Sequence, residues 1–123
     1  MTMAVEAMDT QQHVRTARDF LVAADREIAA GDTLKGSGKL WGAASHAVMA
    51  VARQRGWTPN SSSAMKNAVA RLSEEFHAPA LRGEFGMAEK FHANFYHGFM
   101  EDYELAQDGE VVHRFVERVL SLV

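Results

Sequence analysis

A chain of 123 residues, 47% of them hydrophobic, can bury one core unaided, while two prolines, no cysteine and 24% charged residues exclude collagen-like, disulfide-stapled and thiol-redox classes. The net charge of -3 excludes nucleic-acid binding by bulk positive charge, but residues 34–90 carry eight basic against four acidic side chains, with flanks of -3 and -4. That asymmetry fits either a local anion site in the middle of the chain or solvated helix faces.

The N-terminus lacks a basic region followed by an apolar run, and no stretch approaches the roughly 20 apolar residues needed to cross a bilayer. A cytoplasmic protein with no membrane association is the expectation. One domain over 1–123 is expected, with residues 1–10 frayed.

In chain order, Val14, Ala17, Leu21, Ala24 and Ile28 recur at spacings of three and four and predict a first helix, which Gly31 terminates. Asp32 or Thr33 is the expected N-cap of a second helix ending at Gly56, with Leu40, Ala44, Ala47, Val48 and Val51 inward and a small-residue strip of Gly38, Gly42 and Ser45 for close backbone approach. GWTPNSSS reads as a loop, since Pro59 blocks helix continuation and the serines offer capping oxygens. Met65, Ala68, Val69, Leu72 and Phe76 mark a third helix. A fourth follows Pro79, its inner face expected at Leu81, Phe85, Ala88, His92, Phe95 and Phe99. AQDGE interrupts the pattern before a short last helix carrying Val112, Phe115 or Val116, Val119 and Leu122. Short connections favour antiparallel neighbours, so the expected fold is all-α: an antiparallel up-down four-helix bundle with an additional short C-terminal helix.

Several strings invite chemistry. GDTLKGSGK fails as a phosphate loop, because Gly38-Lys39 is followed by Leu40, position 33 is Thr, and a helix precedes it. Glu-x-x-His, the spacing that lets two side chains reach one interior ion, occurs at Glu74/His77, Glu89/His92 and Glu110/His113. Only Glu89/His92 falls on an apolar stripe, so no metal site and no cofactor is expected, and His92 is expected to be a buried, hydrogen-bonded imidazole. Polar stripes are more suggestive: Lys39, His46 and Arg53 recur every seven residues on the second helix, and Lys90, Asn94, His97 and Glu101 every three or four on the fourth. As neighbours they would line a ligand-binding groove of Lys39, His46, Arg53, Asn94, Tyr96 and His97, suited to a phosphate or nucleotide. Ser61, Ser62, Ser63 and Lys66 form a candidate anion-binding site at a helix start.

Lys39, Trp41, Gly42, Ala43 and Ala44, followed by Ala88, His92, Asn94, Phe95 and Tyr96, make the chain over residues 31–105 resemble the HEPN-like helical-bundle superfamily, and within it the PaREP-type proteins. The resemblance implies a helical bundle, often a homodimer, that binds a nucleotide or RNA or partners a nucleotidyltransferase. It also implies an alternative, a metal-independent endoribonuclease of a toxin or defence system, in which arginine stabilises phosphate and histidine transfers protons. Here His92 or His97 would serve. The arginine is missing at that point, where the chain reads His92-Ala-Asn-Phe-Tyr-His97. The only formal Arg-x5-His match, Arg71 to His77, is the number chance alone supplies. The expected function is therefore a non-catalytic binding domain.

Overall fold

The computed structural model describes residues 8–123, and all regular structure among them is helical. Five helices follow one another: α1 (Thr10–Ala29), α2 (Thr33–Gln54), α3 (Ser62–Glu75), α4 (Ala80–His97) and α5 (Asp102–Leu120). Of residues 1–10, expected to fray, 1–7 lie outside the described residues, while Asp9 and Thr10 form the capped start of α1. Asp9 is the N-cap of α1: its carboxylate accepts from the Gln12 N–H at 2.8 Å while the Gln12 side chain accepts from the Asp9 N–H at 2.8 Å, satisfying two orphan donors. The caps expected further on are present, Asp32 accepting from Lys35 N and Ser61 from Ala64 N. The chain leaves α3 through His77 in the left-handed conformation (φ 51°), just ahead of Pro79.

Ridge partners give the directions. His13 meets His46, Phe20 covers Gly42 and Ile28 covers Gly36, so α1 and α2 are antiparallel. Ser37 with Asn94 and Trp41 with Phe85 set α4 counter to α2, and Lys66 with Glu89 and Arg82 with Glu74 set it counter to α3. Lys90 with Glu104 and Phe85 with Phe115 do the same for α4 and α5. Alternation therefore holds for α1–α2, α3–α4 and α4–α5. Across the 55–61 loop it does not: an Arg55–Glu75 ion pair and Arg71 stacked 4.0 Å over Trp57 bring the C-terminal ends of α2 and α3 together.

Helix α2 lies at the centre and packs on all four others. Its expected inner face, Leu40, Ala44, Ala47, Val48 and Val51, is buried, and Ala43, Ala50 and Ala52 extend it. Alanine and glycine keep this helix slim enough to be surrounded. Gly38 and Gly42 do this through rings: a Cβ at Gly38 would sit 2.8 Å from Phe95 and one at Gly42 2.8 Å from Phe20, so aromatic faces, not a backbone, fill the small-residue strip.

Two further expectations are corrected. The last helix is not short: α5 runs 19 residues, straight through AQDGE. Gly109 is buried, and a Cβ there would meet Phe91 and Leu40 at ordinary contact distance, so this glycine sits at a packing point and does not break the helix. The second correction follows from the first. With α5 lying along α4, the inner face of α4 turns from Leu81, Phe85 and Ala88 to Phe91 and Asn94, while Phe95 and Phe99 are exposed at 41% and 47% and His92 is half-buried. Adjacent helical residues are about 100° apart, so Phe91 and His92 cannot share one face. Phe91 and Phe115 are fully buried, each stabilising the core by roughly 2–3 kcal/mol.

Candidate functional site

Between α1, α2 and α4 lies a cleft of about 450 Å³, within the range of small-molecule sites. Helix α1 supplies Phe20, α2 supplies Lys35, Lys39 and Trp41, and α4 supplies His92, Phe95 and Tyr96. On α2, Lys35 and Lys39 are one turn apart and project side by side. On α4, His92 and Tyr96 repeat that spacing. The His92 ring lies flat on Trp41 (centroids 4.6 Å apart, planes 6° apart), and Tyr96 meets His92 edge-on at 5.5 Å. Thus the imidazole expected to be a buried hydrogen-bonded group instead forms part of an aromatic wall. The Lys39 ammonium lies 5.1 Å from the Phe20 ring centre, a cation–π contact. No carboxylate lines the cleft, and neither lysine has an ion-pair partner among the described residues.

The cleft can stack a planar group on exposed rings and neutralise an anion with two ammonium groups. Tyr96, 68% exposed, is the most accessible ring.

The expected groove is only partly assembled. Lys39 and Tyr96 are in the cleft; His46 and Arg53 are not. They continue along α2 on the flank facing α1, where His46 Nδ1 is 2.9 Å from His13 Nδ1 and Arg53 borders a separate hollow. One imidazole of that pair must donate and the other accept, so it holds its contact with at least one ring neutral. Burial lowers the pKa of both rings; the nearby Arg53 guanidinium lowers His13 further, against an opposing pull from Asp9, and His13 lowers His46.

Asn94 is a correction. It is 1% exposed, donates to Ser37 Oγ at 2.9 Å, and accepts from Phe99 N and Met100 N at 2.8 Å each. It fastens the α4–α5 turn to α2 and offers a ligand nothing. His97 is exposed at the end of α4, five residues and about 140° of helix rotation from His92, so the two histidines do not converge. The cleft contains no arginine. Of the candidate anion site, Ser61 spends its hydroxyl on the α3 cap, Ser62 and Ser63 lie exposed in the first turn, and Lys66 is 3.5 Å from Glu89, which offsets its charge.

The Glu-x-x-His pairs are dispersed likewise. Glu89 faces Lys66, Glu74 faces Arg82 and His113 pairs with Asp25 at 2.8 Å. Among the described residues, no three His, Cys, Asp or Glu side chains converge as metal ligands.

Fold and cleft together define an all-helical domain with a ligand-sized aromatic cleft edged by lysines. The Archaeal PaREP1/PaREP8 family model matches residues 12–116, from the first turn of α1 almost to the end of α5, and the chain belongs to that family. No curated protein and no solved structure matches it. Among the described residues, no helix is long and apolar enough to cross a membrane.

Phe20 and the His13–His46 pair escaped sequence reasoning because their partners lie on another helix, Phe20 against Gly42 and Lys39 and His13 33 positions from His46. A signal existed for Lys35, one turn before Lys39 on the same stripe.

Proposed function

We propose that this protein is a non-catalytic binding domain whose α1–α2–α4 cleft takes a planar anionic ligand, with a nucleotide the best chemical fit. The observation that carries this reading is the juxtaposition of Lys35 and Lys39, without a carboxylate, against Trp41, His92, Phe95 and Tyr96. Ammonium groups attract phosphate, and the rings provide the π-face that every nucleobase can stack upon. A single-stranded RNA end presents the same two features. The HEPN-like resemblance points in the same direction, as does the setting it implies, a homodimer working beside a nucleotidyltransferase. Phe99, exposed and outside the cleft lining, gives such a pairing an apolar contact.

Thermal denaturation with a panel of nucleosides and nucleotides tests the reading. Phosphorylated members raise the melting temperature, by an amount corresponding to about 2.7 kcal/mol at a hundredfold excess over Kd, and Lys39→Ala abolishes the rise. Equal response to nucleosides and nucleotides, or none to either, contradicts it.

A further inference from the structure

At the far end of the α1–α2 seam from the cleft, a second hollow of about 170 Å³ opens between the first turn of α1, the end of α2 and the loop that follows. That is the space of about five or six liquid waters, enough for a tetrahedral oxyanion and part of its hydration, but not for a nucleotide. Met49 and Trp57 supply apolar lining. His13, Arg53, Thr58 and Asn60 supply the polar groups.

The charges here favour an anion. Arg53 is exposed and has no carboxylate partner among the described residues, and its five donors sit in the fork geometry that fits tetrahedral oxyanions. The charged and titratable groups that bear on His13 are Asp9, His46 and Arg53. One carboxylate oxygen of Asp9 already accepts from the Gln12 N–H. Because His13 Nδ1 is occupied by His46, Nε2 is the nitrogen His13 can offer a ligand.

We propose that this hollow is a proton-coupled oxyanion site, in which Arg53 and the singly protonated His13–His46 pair together hold a dianion of the phosphate or sulfate type. Without ligand, the two neutral rings share one N–H···N bond. When the dianion enters, the pair takes one proton from solvent. His13 then donates through Nδ1 to His46 and through Nε2 to the anion, while His46 keeps its own proton on Nε2, so the inter-ring contact survives. Desolvation first and Arg53 second lower the pKa of His13 and so disfavour its charged form, and an incoming negative charge acts in the opposite direction. The site stands independently of the cleft, with which it shares no lining residue.

Sulfate is the discriminating probe, because it remains a dianion across the range in which histidine titrates. Calorimetric titration at constant ionic strength should give binding about tenfold tighter near about pH 6 than near about pH 8. Arg53→Gln should weaken it about tenfold or more at both, and Arg53→Lys less, since the charge remains without the fork. His13→Gln should leave residual binding that no longer depends on pH. Lys39→Ala, in the cleft, should leave the pH dependence of sulfate binding and its sensitivity to Arg53→Gln in place, so failure of the nucleotide reading and failure of this one can be told apart. A phosphomonoester titrated alongside inorganic phosphate distinguishes an esterified source from a free ion: equal affinities mean a site for the ion itself. Sulfate binding that ignores Arg53→Gln, pH dependence that persists in His13→Gln, or no saturable binding overturns the proposal.

Discussion

Replacing Asn94 with leucine removes three hydrogen bonds from the interior and keeps the branched four-atom side chain, with two methyl groups bulkier than the amide they replace. The Nδ2 bond to Ser37 Oγ and the two Oδ1 bonds from Phe99 N and Met100 N are lost together. At about 1 kcal/mol net for each bond, the hydrogen bonds alone account for a loss of about 3 kcal/mol, to which overpacking by the bulkier leucine adds. Part of the loss at Phe99 is recoverable, since that residue lies in an exposed turn and water can reach its N–H; Ser37 is fully buried but keeps its bond to Thr33 O at 2.7 Å. Asn94→Asp retains both acceptor bonds but sets an ionised carboxylate in a buried site and loses the donor to Ser37, so it should cost more near neutral pH than in mild acid, where a protonated oxygen can donate to Ser37 again. Urea and thermal denaturation measure both variants, and for a chain of this size about 3 kcal/mol corresponds to a fall of roughly 10 °C in melting temperature. If Asn94→Leu lies within about 0.5 kcal/mol of the parent, or if the Asn94→Asp penalty is the same at neutral and mildly acidic pH, Asn94 does not fasten the turn as described.

Glycine substitutions separate close packing from helix propensity. A Cβ at Gly36 would collide with Ile28 Cγ1, so Gly36→Ala should destabilise by about 1–3 kcal/mol, whereas Gly109→Ala meets only ordinary contacts and should be neutral or stabilising by up to about 1 kcal/mol. Chemical denaturation of the two variants should move in opposite directions. The histidine pair makes stability fall with acid. Both folded-state pKa values are lowered, so their contribution is complete above the unfolded value of about 6.5 and is lost as pH falls through the folded values. Melting curves between neutral and mildly acidic pH should show this slope, and His13→Gln/His46→Gln should flatten it. An unchanged slope in the double variant refutes the assignment. For Lys90, hydrogen bonds to Glu104 and Asp108 raise the ammonium pKa, so its contribution is present below the unfolded value of about 10.4 and disappears as pH rises through the folded one. Lys90→Met should remove that alkaline loss from the melting profile.

The helices were legible where apolar residues recur without competition. Ala17, Leu21 and Ala24 in α1, Leu40 to Val51 in α2 and Met65 to Leu72 in α3 all turn inward as their spacing indicates. Gly109 misled because a glycine inside a helix reads as a break until the partner it admits is known, here Phe91 and Leu40. That single omission shifted the inner face of α4, since an α5 lying along α4 buries Phe91 and Asn94 in place of His92 and Phe95. The site was legible at Lys39 and Tyr96. The rest of the expected groove mixed residues from one stripe of α2, and a seven-residue repeat on a 3.6-residue helix says which residues align but not which neighbour each faces. Lys39 faces Phe20 and the cleft, His46 faces His13, and Arg53 faces the loop beyond.

Trp41 itself can report on the cleft. In Trp57→Phe it is the sole tryptophan, and its indole lies against His92 in the wall that a stacked ligand would touch. Titrating this variant with adenosine monophosphate should change its fluorescence saturably, with the midpoint displaced about tenfold or more to higher concentration by Lys39→Ala and by added salt. Emission that stays constant, or a saturable change indifferent to Lys39→Ala, contradicts the assignment of the α1–α2–α4 cleft as a site for a planar anion.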